Sequence, residues 1–205
     1  MNKLDKTTTA QKKIRVILVT DGDRIAQEAV EKIGTSLGLR CISASGGNPT
    51  PISGQEIVEL LKTVPFDPVL VMFDDRGYSE KAEGERALEV VANHPDIEVL
   101  GAVAVASNTS GIVGVQADAC IDCQGHVIDN SVDKKGEIKK DKEQCGCKPI
   151  VIGDTVDVLN DVDVPVIIGV GDIGKMQKHD DLSRGAPITR KAIEEILRRS
   201  GINYG

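Results

Sequence analysis

The sequence predicts a three-layer α/β fold built on a doubly wound, mainly parallel sheet. Runs such as Ile14 to Thr20 and Val69 to Phe73 are almost wholly apolar and rich in β-branched residues, the pattern of strands covered on both faces. The segments between them repeat apolar residues three and four apart, the period of a helix with one buried face. The chain has no Trp, two Phe and two Tyr, so its core must be aliphatic. Strands joined by helices of this length pair in parallel through right-handed crossovers, in a flavodoxin-like or topoisomerase-primase-like order.

In chain order, residues 1–12 are polar and read as a disordered tail, and 13–205 read as a single α/β domain. The first strand stops at Asp21-Gly22-Asp23. Ile25, Ala29, Ile33 and Leu37, with Ala26 and Val30, then give a helix ended by Gly38. Leu39 to Ala44 reads as a short strand and Ser45 to Thr50 as a turn-rich loop. Ser53 and Glu56 form a capping box for a helix carrying Ile57, Leu60, Leu61 and Val64. Val69 to Phe73 is a buried strand stopping at Asp74-Asp75. Ala87, Leu88 and Val91 mark a third helix ending near His94-Pro95, and Ile97 to Ala106 is a Val- and Ala-rich fourth strand. From 108 to 149 the pattern shifts to short alternating pieces, read as a hairpin or loop insertion. Asp154 to Leu159 reads as a short helix or strand. Pro165 to Val170 is a further strand, and Ile188, Ala192, Ile193, Ile196 and Leu197 mark the closing helix.

The net charge of −7 argues against binding along a nucleic-acid backbone and favours cations or basic partners. No run approaches the ~20 apolar residues of a membrane span, and residues 1–13 lack the apolar core of a signal peptide. No transmembrane segment of its own is therefore expected, and a reducing compartment is the default for the five cysteines.

Ligands of open parallel sheets sit beyond the carboxyl ends of the strands, and here those ends are acidic. Asp21, Asp23, Asp74 and Asp75 would converge if the first and third strands are neighbours. Carboxylates that close must protonate, disperse into solvent or share a cation, and Mg²⁺ or Ca²⁺ would serve. The competing reading is that Asp23, and Asp74 or Asp75, cap the following helices. Gly169-Val-Gly-Asp-Ile-Gly-Lys175 matches the Gly-x-x-x-x-Gly-Lys part of a phosphate loop, yet Met176 replaces the Ser/Thr that would hold Mg²⁺. The glycines therefore read as a tight turn, with Asp172 and Lys175 as ligand-binding candidates. Cys120-x-x-Cys123 and Cys145-x-Cys147 offer four thiolates to a structural Zn²⁺, against free thiols or a disulfide across the loop. Cys41 reads as a core residue. No Gly-x-Ser-x-Gly elbow occurs, and only His94, His126 and His179 could act as imidazole bases.

Six stretches in order, Arg15-Val-Ile-Leu-Val-Thr-Asp-Gly-Asp23, Arg40-Cys-Ile-Ser-Ala-Ser-Gly-Gly-Asn-Pro-Thr50, Asp67-Pro-Val-Leu-Val-Met-Phe-Asp-Asp75, His94-Pro-Asp-Ile-Glu-Val-Leu-Gly-Ala102, Gly169-Val-Gly-Asp-Ile-Gly-Lys-Met176 and Arg184-Gly-Ala-Pro-Ile-Thr189, resemble the soluble form of the stage V sporulation protein AE family. The resemblance covers about residues 14–200. It implies a spore-forming bacterium and a non-catalytic accessory or regulatory subunit beside the membrane channel that moves calcium-dipicolinic acid in sporulation and germination. Membrane-embedded and soluble channel subunits would be its partners, with a homodimer also allowed, and its place would be cytoplasmic or peripheral at the spore inner membrane. The resemblance supplies no catalytic residues and no zinc site. The alternative from the residues alone is a Mg²⁺-dependent phosphoryl-transfer or hydrolytic enzyme using the strand-end aspartates.

Overall fold

The computed structural model describes residues 12–75, 82–108, 113–139 and 148–204. Its regular elements are β1 (Ile14–Val19), α1 (Arg24–Ser36), β2 (Arg40–Cys41), α2 (Gly54–Thr63), β3 (Val69–Met72), α3 (Glu83–Ala92), β4 (Ile97–Val105), β5 (Val115–Gln116), β6 (Ala119–Ile121), β7 (Val127–Ile128), β8 (Ile150–Val151), β9 (Ile167–Val170) and α4 (Pro187–Arg199). The main sheet runs β2-β3-β1-β4-β9-β6-β7. All its neighbours are parallel except β6 and β7. In the flavodoxin order β2 would lie beside β1; here β3 takes that place, so β1 has β3 on one side and β4 on the other.

The alternation of side chains builds two cores. Val16 and Leu18 of β1 and Val69 and Val71 of β3 pack with Ile57, Leu61, Leu88 and Val91 of α2 and α3. Ile17, Val19, Leu70 and Met72 point the other way, toward Ala29 and Ile33 of α1 and Ile193 and Ile196 of α4. A sheet wetted on neither side needs apolar residues at successive positions, which is why these strands read as unbroken apolar runs. The helix carrying the chain outward to β2 covers one face, and those carrying it back cover the other, as right-handed crossovers require.

One irregularity tunes this packing. Between Val16↔Val99 and Ile17↔Gly101 the β1–β4 register gains a residue, a bulge in β4. The extra residue reverses the phase of the strand. Before it Ile97 and Val99 face α3; after it Ala102 and Ala104 do, while Val103 and Val105 turn to the opposite core. Gly101 sits at the step because a Cβ there would approach the Val166 carbonyl oxygen to 2.6 Å.

The helix ends are set by side chains. Ser53 and Glu56 close their capping box on α2, and Asp23 accepts from the N–H groups of Ile25 and Ala26 at the start of α1. α3 and α4 have no adjacent side-chain cap. Their first N–H groups are instead reached by carboxylates from preceding loops, Asp75 for Gly84 and Glu85 and Asp180 for Ile188 and Thr189.

The stretch expected as an insertion supplies strands to two sheets. Buried β6 joins the main sheet beside β9 and pairs antiparallel with β7, while β5 pairs antiparallel with β8. The second expected strand is shorter than its apolar run, because Ser43–Ser45 turn into a 3-10 coil.

Candidate functional site

β1, β3, β4 and β9 end along one edge of the sheet, and a cleft of about 240 Å³ opens beyond them. Asp21, Asp23, Asp74, Asp154 and Asp172 line it, and among the described residues Lys134 is the one basic side chain on its wall. Thr20 seals its floor: its hydroxyl accepts from Val105 N–H and donates to the Val103 carbonyl. The β1–β3 adjacency brings Asp21 and Asp74 together, and Asp74 Oδ2 accepts from Gly22 N–H at 3.2 Å.

The carboxylates resolve their mutual repulsion in three different ways. Asp75 leaves the cleft. Its oxygens lie 2.6 and 2.7 Å from the Gly84 and Glu85 nitrogens; burial still pushes its pKa up, although those N–H groups oppose the rise. Asp23 stays but is neutralised by Lys175, whose Nζ lies 2.6 Å from Asp23 Oδ2 and 2.9 Å from Asp172 Oδ1. Burial works to raise the Asp23 pKa, and the lysine with the α1 N–H groups brings it below the usual range. Lys175 is correspondingly held in its charged form, its pKa raised by the two carboxylates against the pull of burial. Asp21, 9% exposed, takes the third route. Burial, reinforced by the negative charges of Asp23, Asp74 and Asp172, lifts its pKa well above the carboxylate norm and favours the proton-bearing form.

Of the four aspartates expected to share a cation, three therefore border the cleft and one is withdrawn into a helix cap. Among the described residues, no three acidic, histidine or cysteine side chains are grouped to hold one metal ion. Asp172 and Lys175, singled out as ligand candidates, are paired with each other. The residues after them explain why the phosphate-loop resemblance stops there. Met176, Gln177 and Lys178 have φ of 38, 54 and 75°, so a left-handed turn stands where a phosphate loop would open into a helix. Asp180, wholly buried, anchors that turn by accepting from Gly174 N–H.

Asp154 escaped the reading of the sequence, though its signal is present. Ile150 to Ile152 are apolar and stop at Gly153-Asp154, the Gly–Asp punctuation also found at Gly171-Asp172. A Cβ at position 153 would collide with the Val105 carbonyl oxygen, so only glycine lets this segment pass close enough to β4 to present Asp154. Lys134 was missed for a different reason. It sits in the turn laid over β9, where its carbonyl accepts from Asp172 N–H, and nothing local in the sequence announces that contact.

Cys120 lies in β6 with its thiol against Gly169, and burial pushes its pKa up to about 12. Cys123 is half-buried and its thiol is also raised, by burial and then Asp122. Cys41, on β2, is pushed by burial to about 12, in keeping with a core role. Cys145 and Cys147 lie outside the described residues.

No helix among the described residues is long and apolar enough to cross a membrane. No curated protein and no solved structure matches the chain. Residues 15–200 match the family described as stage V sporulation protein AE1.

Proposed function

This chain belongs to the stage V sporulation protein AE1 family, which gives it a sporulation-related role, and from that premise we propose that it is a non-catalytic accessory or regulatory subunit of the spore membrane channel system for calcium-dipicolinic acid. The observation that supports the non-catalytic part is that two of the five aspartates lining the cleft, and Asp75 beside it, are already held by the chain's own groups. Asp23 and Asp172 are held by Lys175, and Asp75 by the N-terminus of α3. An enzyme of the Mg²⁺-dependent kind needs carboxylates left open to the ion and substrate. With no membrane-spanning helix among its described residues, the subunit reaches the channel by docking on embedded partners. Co-purification from detergent-solubilised spore membranes tests this: channel subunits should elute with the tagged chain in fixed proportion. Elution of the chain alone would refute it.

A second reading rests on Asp21. A carboxyl biased toward its protonated form in a polar cleft is a perturbation that active sites use for general acids. If the cleft served a Mg²⁺ enzyme, the melting temperature would climb with the logarithm of free Mg²⁺. A flat response removes this reading.

A further inference from the structure

A second cavity, of about 290 Å³, opens on the α4 side of the molecule, between the turn after β6 and the start of α4. Its charge is opposite to that of the first. Among the described residues, His179, Arg184 and Lys191 line it and no carboxylate does, while Ile188, Pro187 and Cys123 supply an uncharged wall. On a chain of net charge −7, three basic side chains around one hollow form a local reversal of field.

Of the neighbouring acids, Asp122, Asp180 and Asp181 are engaged by bonds of their own, while Asp133 and Glu137 lie near enough to Cys123 to act on its thiol. Asp122 accepts from the N–H groups of Gln124 and His126 and lies against the His126 ring. Asp180 is buried under the start of α4, where four donors hold it. Asp181 folds back on Ser183 N–H; it is close enough to Arg184 to feel its charge without pairing with it. Several long cations elsewhere find carboxylates: Arg15 has Asp67, Lys148 has Asp118, Arg190 has Glu194, and Arg198 and Arg199 share Glu195. Among the described residues, His179, Arg184 and Lys191 have no such partner within ion-pairing distance. Because Asp180 already occupies the first N–H groups of α4, the attraction comes from these three side chains rather than from the helix end.

We infer that this cavity binds a small multivalent oxyanion, a phosphate- or carboxylate-bearing molecule clamped by Arg184 and Lys191 with His179 at its edge. Arg supplies a planar fork of donors for such a group and Lys a mobile point charge. The apolar wall would take the ligand's carbon skeleton. Occupation places the ligand against the turn after β6, on a different opening from the acidic cleft, so the two sites can be disabled separately.

The test is calorimetric titration of the full chain with inorganic pyrophosphate and, separately, with citrate, at low ionic strength. One of the two should bind, and its identity separates a phosphate from a carboxylate preference. Arg184→Gln and Lys191→Gln should each weaken that binding at least about tenfold, the loss expected for one charge-assisted hydrogen bond. Asp21→Asn should leave it unchanged. Both basic residues are exposed, so unchanged melting of the variants confirms that they fold. Absence of binding by both anions would overturn the inference, as would equal binding by the two Gln variants and the wild type.

Discussion

Replacing Asp180 by alanine should loosen the whole carboxyl-terminal third of the fold, and the size of the effect follows from its bonds. The side chain is fully buried and accepts from Ile188 N at 2.7 Å, Thr189 N at 3.0 Å, Gly174 N at 2.9 Å and Thr189 Oγ1 at 2.6 Å. α4 has no other side-chain cap, and Ala186, at its entry, has φ of 48°. Removing the carboxylate strands three backbone N–H groups, each costing about 1–3 kcal/mol if it stays dry. Water entering the vacated volume recovers part of this, and burial of the charge already costs something, since its net effect is to raise the pKa of Asp180. A loss of about 3 kcal/mol results, or about 6–12 °C in melting temperature for a chain of this length. Asp180→Asn should lose roughly half as much, because its one carbonyl oxygen can still serve α4 while its NH₂ meets the Gly174 N–H. Thermal unfolding followed by circular dichroism at pH 7 reads all three proteins. A shift under about 2 °C for the alanine variant would show that the clasp does not hold α4, and the reasoning would fail.

Asp21→Asn should stabilise the protein at neutral pH. The folded-state pKa of Asp21 is raised, so the folded state binds the proton more tightly than the unfolded chain, and the wild type recovers stability as pH falls through that pKa toward the ordinary carboxylate value. The variant's advantage in urea midpoint at pH 7 should therefore shrink on acidification; an advantage that grows toward acid would contradict the assignment. Lys175→Met removes the partner of Asp23 and Asp172 and should cost about 1 kcal/mol at low salt, less as ionic strength rises. Because the Asp23 pKa is depressed in the fold, that loss belongs to the range above the unfolded carboxylate pKa and should fade as pH falls through the folded one, which melting curves at pH 7 and in acid would reveal. Gly153→Ala should cost about 1–3 kcal/mol through overpacking, since its methyl would strike the Val105 carbonyl; an unchanged urea midpoint would mean that this segment yields.

What the sequence made legible was local or periodic. β1, β3 and β4 declared themselves because two-sided burial demands apolar residues at every position, and α2 because the Ser53–Glu56 box is closed within four residues. The strand-end acids were also visible, but the sequence left their convergence conditional on the β1–β3 adjacency that unites Asp21 with Asp74. Their division of labour was not visible. Whether an aspartate caps a helix or faces a cleft depends on a few ångströms of loop path, and Asp75 reaches α3 over nine residues. The same limit hid Asp154, Lys134 and the role of Asp180, each fixed by contacts distant in the chain. The stretch between β4 and β9 was hard to place because two- and three-residue strands carry too few side chains to show a period.

Association with the channel is the central claim, and spore fractionation measures it most directly. In wild-type spores the chain should sediment with the inner membrane, and in spores lacking the channel's embedded subunits it should appear in the soluble fraction. Sedimentation with the membrane in both strains, or with neither, would contradict the account.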